Sequence, residues 1–144
     1  MPTVKGRCHC GQTEWTVKLE DFSHVLCHCS TCKYLSGTDY TLNQIIPKED
    51  FTLTNGNLKA YTYYGDSGKP VNCYYCPNCT SHAYHHQAVN PSKVVIRTAL
   101  LEGAKDWKPA AEIYAKDTYR WQPAVAAPGA VFQTGPPAPP SPNL

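Results

Sequence analysis

The stretch Cys27-His28-Cys29-Ser30-Thr31-Cys32 carries three thiols within six residues. The other five cysteines fall in two further clusters, Cys8-His9-Cys10 and Cys73-Tyr74-Tyr75-Cys76-Pro77-Asn78-Cys79. Because all eight are clustered, they are not ordinary core residues, and in a reducing compartment such clusters favour metal binding over disulfides. Zinc, which prefers four thiolate or imidazole ligands in a tetrahedron, is the leading hypothesis, with two ions per chain.

The amino-terminal residues 1–6 contain no apolar segment of the kind that a signal peptide needs, and no run of eighteen apolar residues occurs. We therefore expect a cytoplasmic protein with reduced cysteines and no membrane association. A disulfide framework is the alternative. Against it, two cysteines separated by one residue in an extended chain cannot bond to each other without strain.

The 144 residues fit one domain, and the net charge of +2 arises from 13 basic and 11 acidic side chains. No basic run of the kind that nucleic-acid or membrane binders carry is present. We expect a small-molecule partner, no nucleic acid, and a monomer or homo-oligomer.

Alternating β-branched and aromatic residues predict a mainly β fold, in which the strands at residues 40–42, 51–53 and 58–64 are expected to form a meander. The predicted strands cover residues 13–17, 23–26, 40–42, 51–53, 58–64, 81–87, 94–98 and 112–115. Residues 30–35 predict one or two helical turns that end at Gly37, with Cys32 in the first turn, where free backbone amides favour a thiolate.

Two of the cysteine pairs predict local geometry. Extended backbone at Cys8 and Cys10 would point both sulfurs to one face and His9 to the other. The spacing Cys76-x-x-Cys79 is typical of the tight turn in a zinc knuckle.

The eight thiols can be divided between two tetrahedral sites. If Cys8, Cys10, Cys76 and Cys79 close one site, then Cys27, Cys29 and Cys32 form a three-thiolate site. Its fourth position takes either Cys73, which closes it, or water or substrate. Cys73 cannot join Cys76 without a turn at residues 74–75, which have the character of a strand.

The fourth position of the second site separates an enzyme from a structural zinc protein. Three thiolates give such a site a net charge of about −1, which weakens zinc as a Lewis acid. This charge favours chemistry at sulfur over ordinary hydrolysis.

His82, His85 and His86 lie close together in sequence, but the thiols already supply seven or eight ligands. We take His85, with Tyr84 and Tyr63, as candidates for a general acid or base. Six tyrosines fall between Tyr61 and Tyr84. We expect most of them to pack on strand surfaces, the alternative being an aromatic wall beside a small-molecule site.

Residues 123–144 contain seven prolines and too little apolar surface to fold alone. We divide the chain into a zinc-binding domain at 1–122 and this Pro-rich extension. Trp121 and Phe132 could dock the extension on the domain, and we expect disorder after about Thr134.

The motifs resemble the glutathione-dependent formaldehyde-activating enzymes and their relatives, which include the domain of centromere protein V. The resemblance spans residues 4 to about 122. It rests on Gly6-Arg7-Cys8-His9-Cys10-Gly11, Cys27-His28-Cys29-Ser30-Thr31-Cys32-Lys33 with Ser36-Gly37, and Tyr75-Cys76-Pro77-Asn78-Cys79, with weaker matches at 95–100 and 112–114.

The resemblance implies a β-tent type of fold, with small antiparallel sheets around a structural zinc. It implies that Cys8, Cys10, Cys76 and Cys79 hold the structural zinc. It also implies that Cys27, Cys29 and Cys32 hold a catalytic zinc with an open position. The implied reaction is formation or breakdown of S-hydroxymethylglutathione, a carbon–sulfur lyase reaction.

Three features depart from the family pattern: Thr80 stands where glycine is usual, Cys73 is an extra thiol, and the Pro-rich extension is additional. None removes a presumed ligand. A tyrosine-lined pocket would suit a substrate larger and more apolar than glutathione and formaldehyde.

We therefore expect a zinc-dependent, carbon–sulfur lyase-like enzyme acting on a carbonyl compound, its thiol adduct or a similar activated molecule. The alternatives are a scaffold module with two structural zincs, and a glutathione-independent zinc cyclase or dehydratase.

Overall fold

The computed structural model describes residues 1–136, and this part of the chain is mainly β, as the sequence predicts. The strands are β1 (Thr3–Arg7), β2 (Glu14–Lys18), β3 (Ser23–Cys27), β4 (Thr41–Pro47), β5 (Phe51–Asn55), β6 (Lys59–Tyr64), β7 (Pro70–Tyr75), β8 (His82–Gln87), β9 (Lys93–Arg97) and β10 (Lys108–Ile113). The helix α1 spans Ser30–Ser36. Within residues 1–136, no helix is both long and apolar enough to cross a membrane.

The chain forms two compact units. Unit 1 comprises Met1–Ser23 and Asn43–Trp107, and unit 2 comprises His24–Leu42 and, within the described residues, 108–136.

A three-stranded antiparallel sheet in unit 1 has the order β1-β2-β5. The sequence did not predict β1, because residues 3–7 contain one apolar side chain, Val4, and therefore show no alternation of apolar and polar side chains. Gly6 of β1 lies opposite Trp15 of β2. A Cβ atom at Gly6 would stand 2.3 Å from Trp15 Nε1, so the two strands approach this closely only because residue 6 has no side chain.

The remaining strands of unit 1 pair in the order β4-β9-β8-β7-β6, all antiparallel. Strands β6 to β9 follow one another in sequence and in space. The meander predicted for residues 40–42, 51–53 and 58–64 is wrong, because β4 pairs with β9, β5 with β2 and β6 with β7. The buried core of unit 1 consists of Cys8, Trp15, Val17, Leu19, Ile46, Cys76, Ala83, Val94, Ile96 and Leu101. Two cysteines from different clusters are therefore part of this core.

In unit 2, β10 lies next to β3 in a sheet. Helix α1 follows β3 in the chain. Helix α1 ends at Gly37, whose φ of 69° closes the helix with a hydrogen bond from Gly37 N to Lys33 O, as predicted. Strand β10 starts four residues earlier than expected and ends at Ile113, because Tyr114 adopts a left-handed conformation with φ 52°.

The first part of the Pro-rich extension packs back along β10. Phe132 N donates to Glu112 O over 2.8 Å, and Tyr114 N donates to Thr134 O over 2.8 Å. The disorder expected after Thr134 concerns mainly residues 137–144, which lie outside the described residues.

Candidate metal centres

The first cysteine pair sits in a turn. Gly11 N donates to Cys8 O over 3.3 Å, and Cys8 N donates to Thr13 O over 3.1 Å. The expectation of extended backbone from Cys8 to Cys10 is therefore wrong. The turn still places the sulfurs of Cys8 and Cys10 only 3.6 Å apart.

The second pair in unit 1, Cys76 and Cys79, sits in a similar turn. Cys76 N donates to Ser81 O over 2.9 Å, and Thr80 N donates to Cys76 O over 2.9 Å. In both turns the first cysteine donates to the carbonyl oxygen five residues later. His9 N also donates to Ser81 Oγ over 3.0 Å, which ties the two turns together.

The sulfur atoms of Cys8, Cys10, Cys76 and Cys79 all lie within 4.8 Å of one another. Cys10 Sγ and Cys76 Sγ are 3.8 Å apart. A tetrahedron with sulfur about 2.3 Å from its centre has edges of about 3.8 Å, whereas a disulfide bond measures about 2.05 Å. The group therefore has the geometry of a tetrahedral metal site, and it could hold a metal ion.

Hydrogen bonds in this group favour the thiolates of Cys8 and Cys79. Hydrogen bonds lower the pKa of Cys10 too, but burial and the neighbouring thiols outweigh them and raise it overall. The Ser81 hydroxyl, with backbone amides, lowers the pKa of Cys79 to about 5. Burial raises the pKa of Cys8, but hydrogen bonds with Thr13 outweigh burial and the pKa is lowered overall. Deprotonated sulfur is the form that binds metal, so these contacts prepare the site for a cation.

The second group lies in unit 2, where β3 ends and α1 begins. Cys29 is the N-cap of α1, and its Sγ accepts a hydrogen bond from Cys32 N over 3.3 Å. The sulfurs of Cys27, Cys29 and Cys32 lie within 4.8 Å of one another. Cys27 and Cys32 are buried and Cys29 is half-buried, so this group could also hold a metal ion.

The thiols of the second group oppose one another's ionisation. The neighbouring thiols Cys29 and Cys32, together with burial, raise the pKa of Cys27. The pKa of Cys29 is also raised: its contact with Cys27 lowers it, but Cys32 and burial outweigh that effect. Three adjacent thiolates repel one another unless a cation lies among them and balances their charge.

A buried hydrogen bond joins two residues next to the second group, His28 and Glu112. His28, between Cys27 and Cys29, is fully buried, and Glu112 is 2% exposed. Glu112 Oε1 accepts a hydrogen bond from His28 Nε2 over 2.8 Å. Burial raises the pKa of Glu112, but the Ala126 amide and His28 outweigh burial and lower the pKa overall. Glu112 is therefore a buried anion.

The sequence alone indicates no role for His28 or Glu112. In the sequence Glu112 stands out only as part of a predicted strand and of a weak family match, because its hydrogen-bond partners are 84 residues earlier and 13 and 14 residues later in the chain. Two features of the sequence could have indicated this pair: Glu112 is a glutamate in a predicted strand, and His28 stands between two candidate metal ligands.

Cys73 and the three acid or base candidates lie in unit 1. Cys73 of β7 is directly opposite Tyr61 of β6 and His85 of β8, and both Cys73 and His85 are buried. This register confirms that residues 74–75 continue the strand after Cys73. Cross-strand neighbours have Cβ atoms about 5 Å apart, so a thiol and an imidazole share one face of the sheet here.

Tyr84 and Tyr63 both stack on other aromatic rings. Tyr84 packs between Phe51 and Tyr74, with ring centroids 4.3 and 4.6 Å away. Burial, with a contribution from Tyr74, raises the pKa of Tyr84. Tyr63 stacks on Tyr61 at 6.5 Å.

Comparison with known proteins identifies the family of this chain and structural neighbours, one of which is described here. Residues 3–117 match the family model of the glutathione-dependent formaldehyde-activating enzymes. The chain is also similar to a Rhodobacter sphaeroides protein whose crystal structure was determined as a Northeast Structural Genomics target. The two are 28% identical with a TM-score of 0.56, over 69% of this chain and 88% of that chain. No curated protein matches the sequence significantly.

Proposed function

We propose that this chain, which belongs to the glutathione-dependent formaldehyde-activating enzyme family, is a zinc-dependent enzyme of the carbon–sulfur lyase type. Its substrate would be a carbonyl compound, the adduct of that compound with a thiol such as glutathione, or a similarly activated small molecule. The observation that carries the proposal is the convergence of Cys27, Cys29 and Cys32 at the start of α1.

The two cysteine groups are assigned different roles. Cys8, Cys10, Cys76 and Cys79 supply four thiolates, which complete a tetrahedron, and Cys8 and Cys76 belong to the core of unit 1. We assign this group to a structural zinc at the centre of a β-tent type of fold. Cys27, Cys29 and Cys32 supply three thiolates, which leave a fourth position for a substrate atom.

Bound by three thiolates, zinc would stabilise a substrate sulfur in its anionic form at neutral pH. In breakdown of a hydroxymethyl thioether the carbon–sulfur bond breaks, the hydroxyl oxygen becomes a carbonyl oxygen, and its proton ends on sulfur. The reaction is redox-neutral and needs a group that carries one proton. Of the three candidates we favour His85, because an imidazole transfers protons readily at neutral pH, whereas burial raises the pKa of Tyr84 and makes it a weaker acid.

The cysteine geometry also supports a reducing, cytoplasmic location, because all eight cysteines are free thiols. We assign residues 1–122 to the catalytic domain and residues 123–144 to an extension outside it. The family model ends at residue 117, which supports this boundary.

The proposal is tested by zinc analysis and by turnover of S-hydroxymethylglutathione, followed through released formaldehyde. We expect two zinc ions per chain in the wild type, and one zinc with turnover abolished in Cys27→Ser. Tyr34→Ser is the matched control, because Tyr34 lies on α1 and is 90% exposed. It should keep both zinc ions and full turnover.

A fully active Cys27→Ser variant would contradict the proposal. Two zinc ions without turnover of any thiol adduct would favour a scaffold with two structural zincs. Turnover of a carbonyl substrate without added thiol would favour a cyclase or dehydratase.

A further inference from the structure

The side chain of Glu112 connects two parts of unit 2 that are far apart in sequence. Oε1 accepts the hydrogen bond from His28 Nε2 over 2.8 Å. Oε2 accepts hydrogen bonds from Val125 N over 2.9 Å and from Ala126 N over 3.1 Å. One buried carboxylate is therefore shared between the loop of the second cysteine group and the carboxy-terminal segment, defined here as residues 123–135.

The backbone of the loop is held in the same place. His28 N donates to Ile113 O over 3.1 Å, next to Glu112 on β10. Because His28 stands between Cys27 and Cys29, fixing its backbone and its ring also fixes the Cα positions of two presumed ligands. The other ring nitrogen, Nδ1, is buried and has no hydrogen-bond partner among residues 1–136. The contact with Glu112 is therefore the polar contact that orients this ring.

The carboxy-terminal segment has further contacts with β10. Phe132 N donates to Glu112 O, and Glu112 forms an isolated parallel bridge with Val131. Before this segment, Lys33 of α1 donates to Asp117 O, and its Nζ lies 3.9 Å from the centroid of the Tyr119 ring. The chain after β10 thus supports the helix on which Cys32 lies.

We propose that Glu112 is a positioning residue for the second cysteine group, and that it couples metal binding there to docking of the carboxy-terminal segment. The inference rests on the proposed function in one respect, namely that Cys27, Cys29 and Cys32 bind a metal ion. Coupling between two binding events is reciprocal. Metal binding therefore protects the Val125 and Ala126 amides, and an intact Glu112 contact raises metal affinity.

The first experiment is a zinc titration of the full chain against a chromophoric chelator. In Glu112→Gln the side chain keeps its shape, but a single oxygen cannot accept from both His28 and the two amides. We expect zinc affinity at the second group to fall about 10- to 100-fold, as for other residues that orient metal ligands, with no change at the first group. Glu102→Gln is the control, because Glu102 is an exposed glutamate of unit 1.

The second experiment does not alter Glu112, so it remains informative if Glu112→Gln fails to fold. Hydrogen exchange at the Val125 and Ala126 amides is compared between zinc-loaded wild type and zinc-loaded Cys29→Ser, which lacks the second site. We expect exchange at these amides to be at least about tenfold faster in Cys29→Ser. If metal binding stabilises the docked carboxy-terminal segment, then loss of the metal makes this segment open more often. Exchange at Gly11 and Thr80 should be unchanged.

Equal zinc affinity in a folded Glu112→Gln variant, or equal exchange at Val125 and Ala126, would overturn the coupling. The result is separable from the proposed reaction. Coupling without turnover of any substrate contradicts the reaction alone, and turnover with unchanged affinity in Glu112→Gln contradicts the coupling alone.

Discussion

Thr80 donates its backbone N–H to the carbonyl oxygen of Cys76 while its own φ is 69°, in the left-handed region. Thr80 follows Cys79, and the turn of this cysteine pair needs that conformation to bring Ser81 back to Cys76. A β-branched residue is unfavourable there, whereas glycine adopts the conformation without a steric cost. The departure from glycine noted in the sequence is thus a point of local strain.

We expect Thr80→Gly to stabilise the protein. Relief of the left-handed conformation is worth about 1–2 kcal/mol. The greater freedom of glycine in the unfolded chain offsets about 0.5–1 kcal/mol of this. The net gain should be about 0.5–1 kcal/mol, or about 2–4 °C in Tm, measured by thermal unfolding of the zinc-loaded protein.

Thr80→Ala is the control for this gain. Alanine removes the contact of the Thr80 hydroxyl with Cys79 O but keeps a Cβ atom in the left-handed conformation. A glycine variant no more stable than the alanine variant would show that the turn is not strained.

The contact of Gly6 with Trp15 gives a prediction of opposite sign. In Gly6→Ala the new Cβ atom would meet Trp15 Nε1 at 2.3 Å and Leu101 Cδ2 at 2.9 Å, and both residues belong to the core of unit 1. Displacing a buried tryptophan should cost about 1–3 kcal/mol. Urea unfolding measures the change.

Gly65→Ala serves as the comparison, because a Cβ atom there meets its nearest neighbour at 3.8 Å, an ordinary van der Waals distance. It should change the unfolding free energy by less than about 0.5 kcal/mol. If the two variants were equally stable, the close approach of β1 to Trp15 would not exist in solution.

The first cysteine group should be required for folding. Cys8 and Cys76 are 1% and 0% exposed and pack in the core, so losing a metal there leaves buried thiols that repel one another when charged. We expect Cys76→Ser to lose its near-ultraviolet circular dichroism, while Cys29→Ser keeps it. A folded Cys76→Ser with one zinc would reverse the roles assigned to the two groups.

The sequence predicted those features that depend on short spacings. The grouping of cysteines and the end of α1 at Gly37 both follow from residues that are neighbours in the chain. The meander predicted for residues 40–42, 51–53 and 58–64 was wrong, because strand pairing is decided by contacts between distant parts of the chain. The turn at Cys8 was missed because a single hydrogen bond, from Gly11 N to Cys8 O, decides between turn and extended backbone. The role of Glu112 was missed because burial of a glutamate is visible only once its distant donors are in place.

Cys73 is the cysteine that the two proposed zinc sites leave unassigned. Under the proposed open site, Cys73→Ser should bind two metal ions per chain, as the wild type does. In the cobalt-substituted protein the thiolate-to-cobalt charge-transfer absorption should keep its full intensity, because seven thiolates bind metal in both proteins. If Cys73 were the eighth ligand, the charge-transfer absorption of Cys73→Ser would be lower than that of the wild type by the contribution of one thiolate. The second site of the wild type would then have no open position for a substrate. Ala83→Ser, a buried substitution on the neighbouring strand β8, controls for the effect of a new hydroxyl in this sheet.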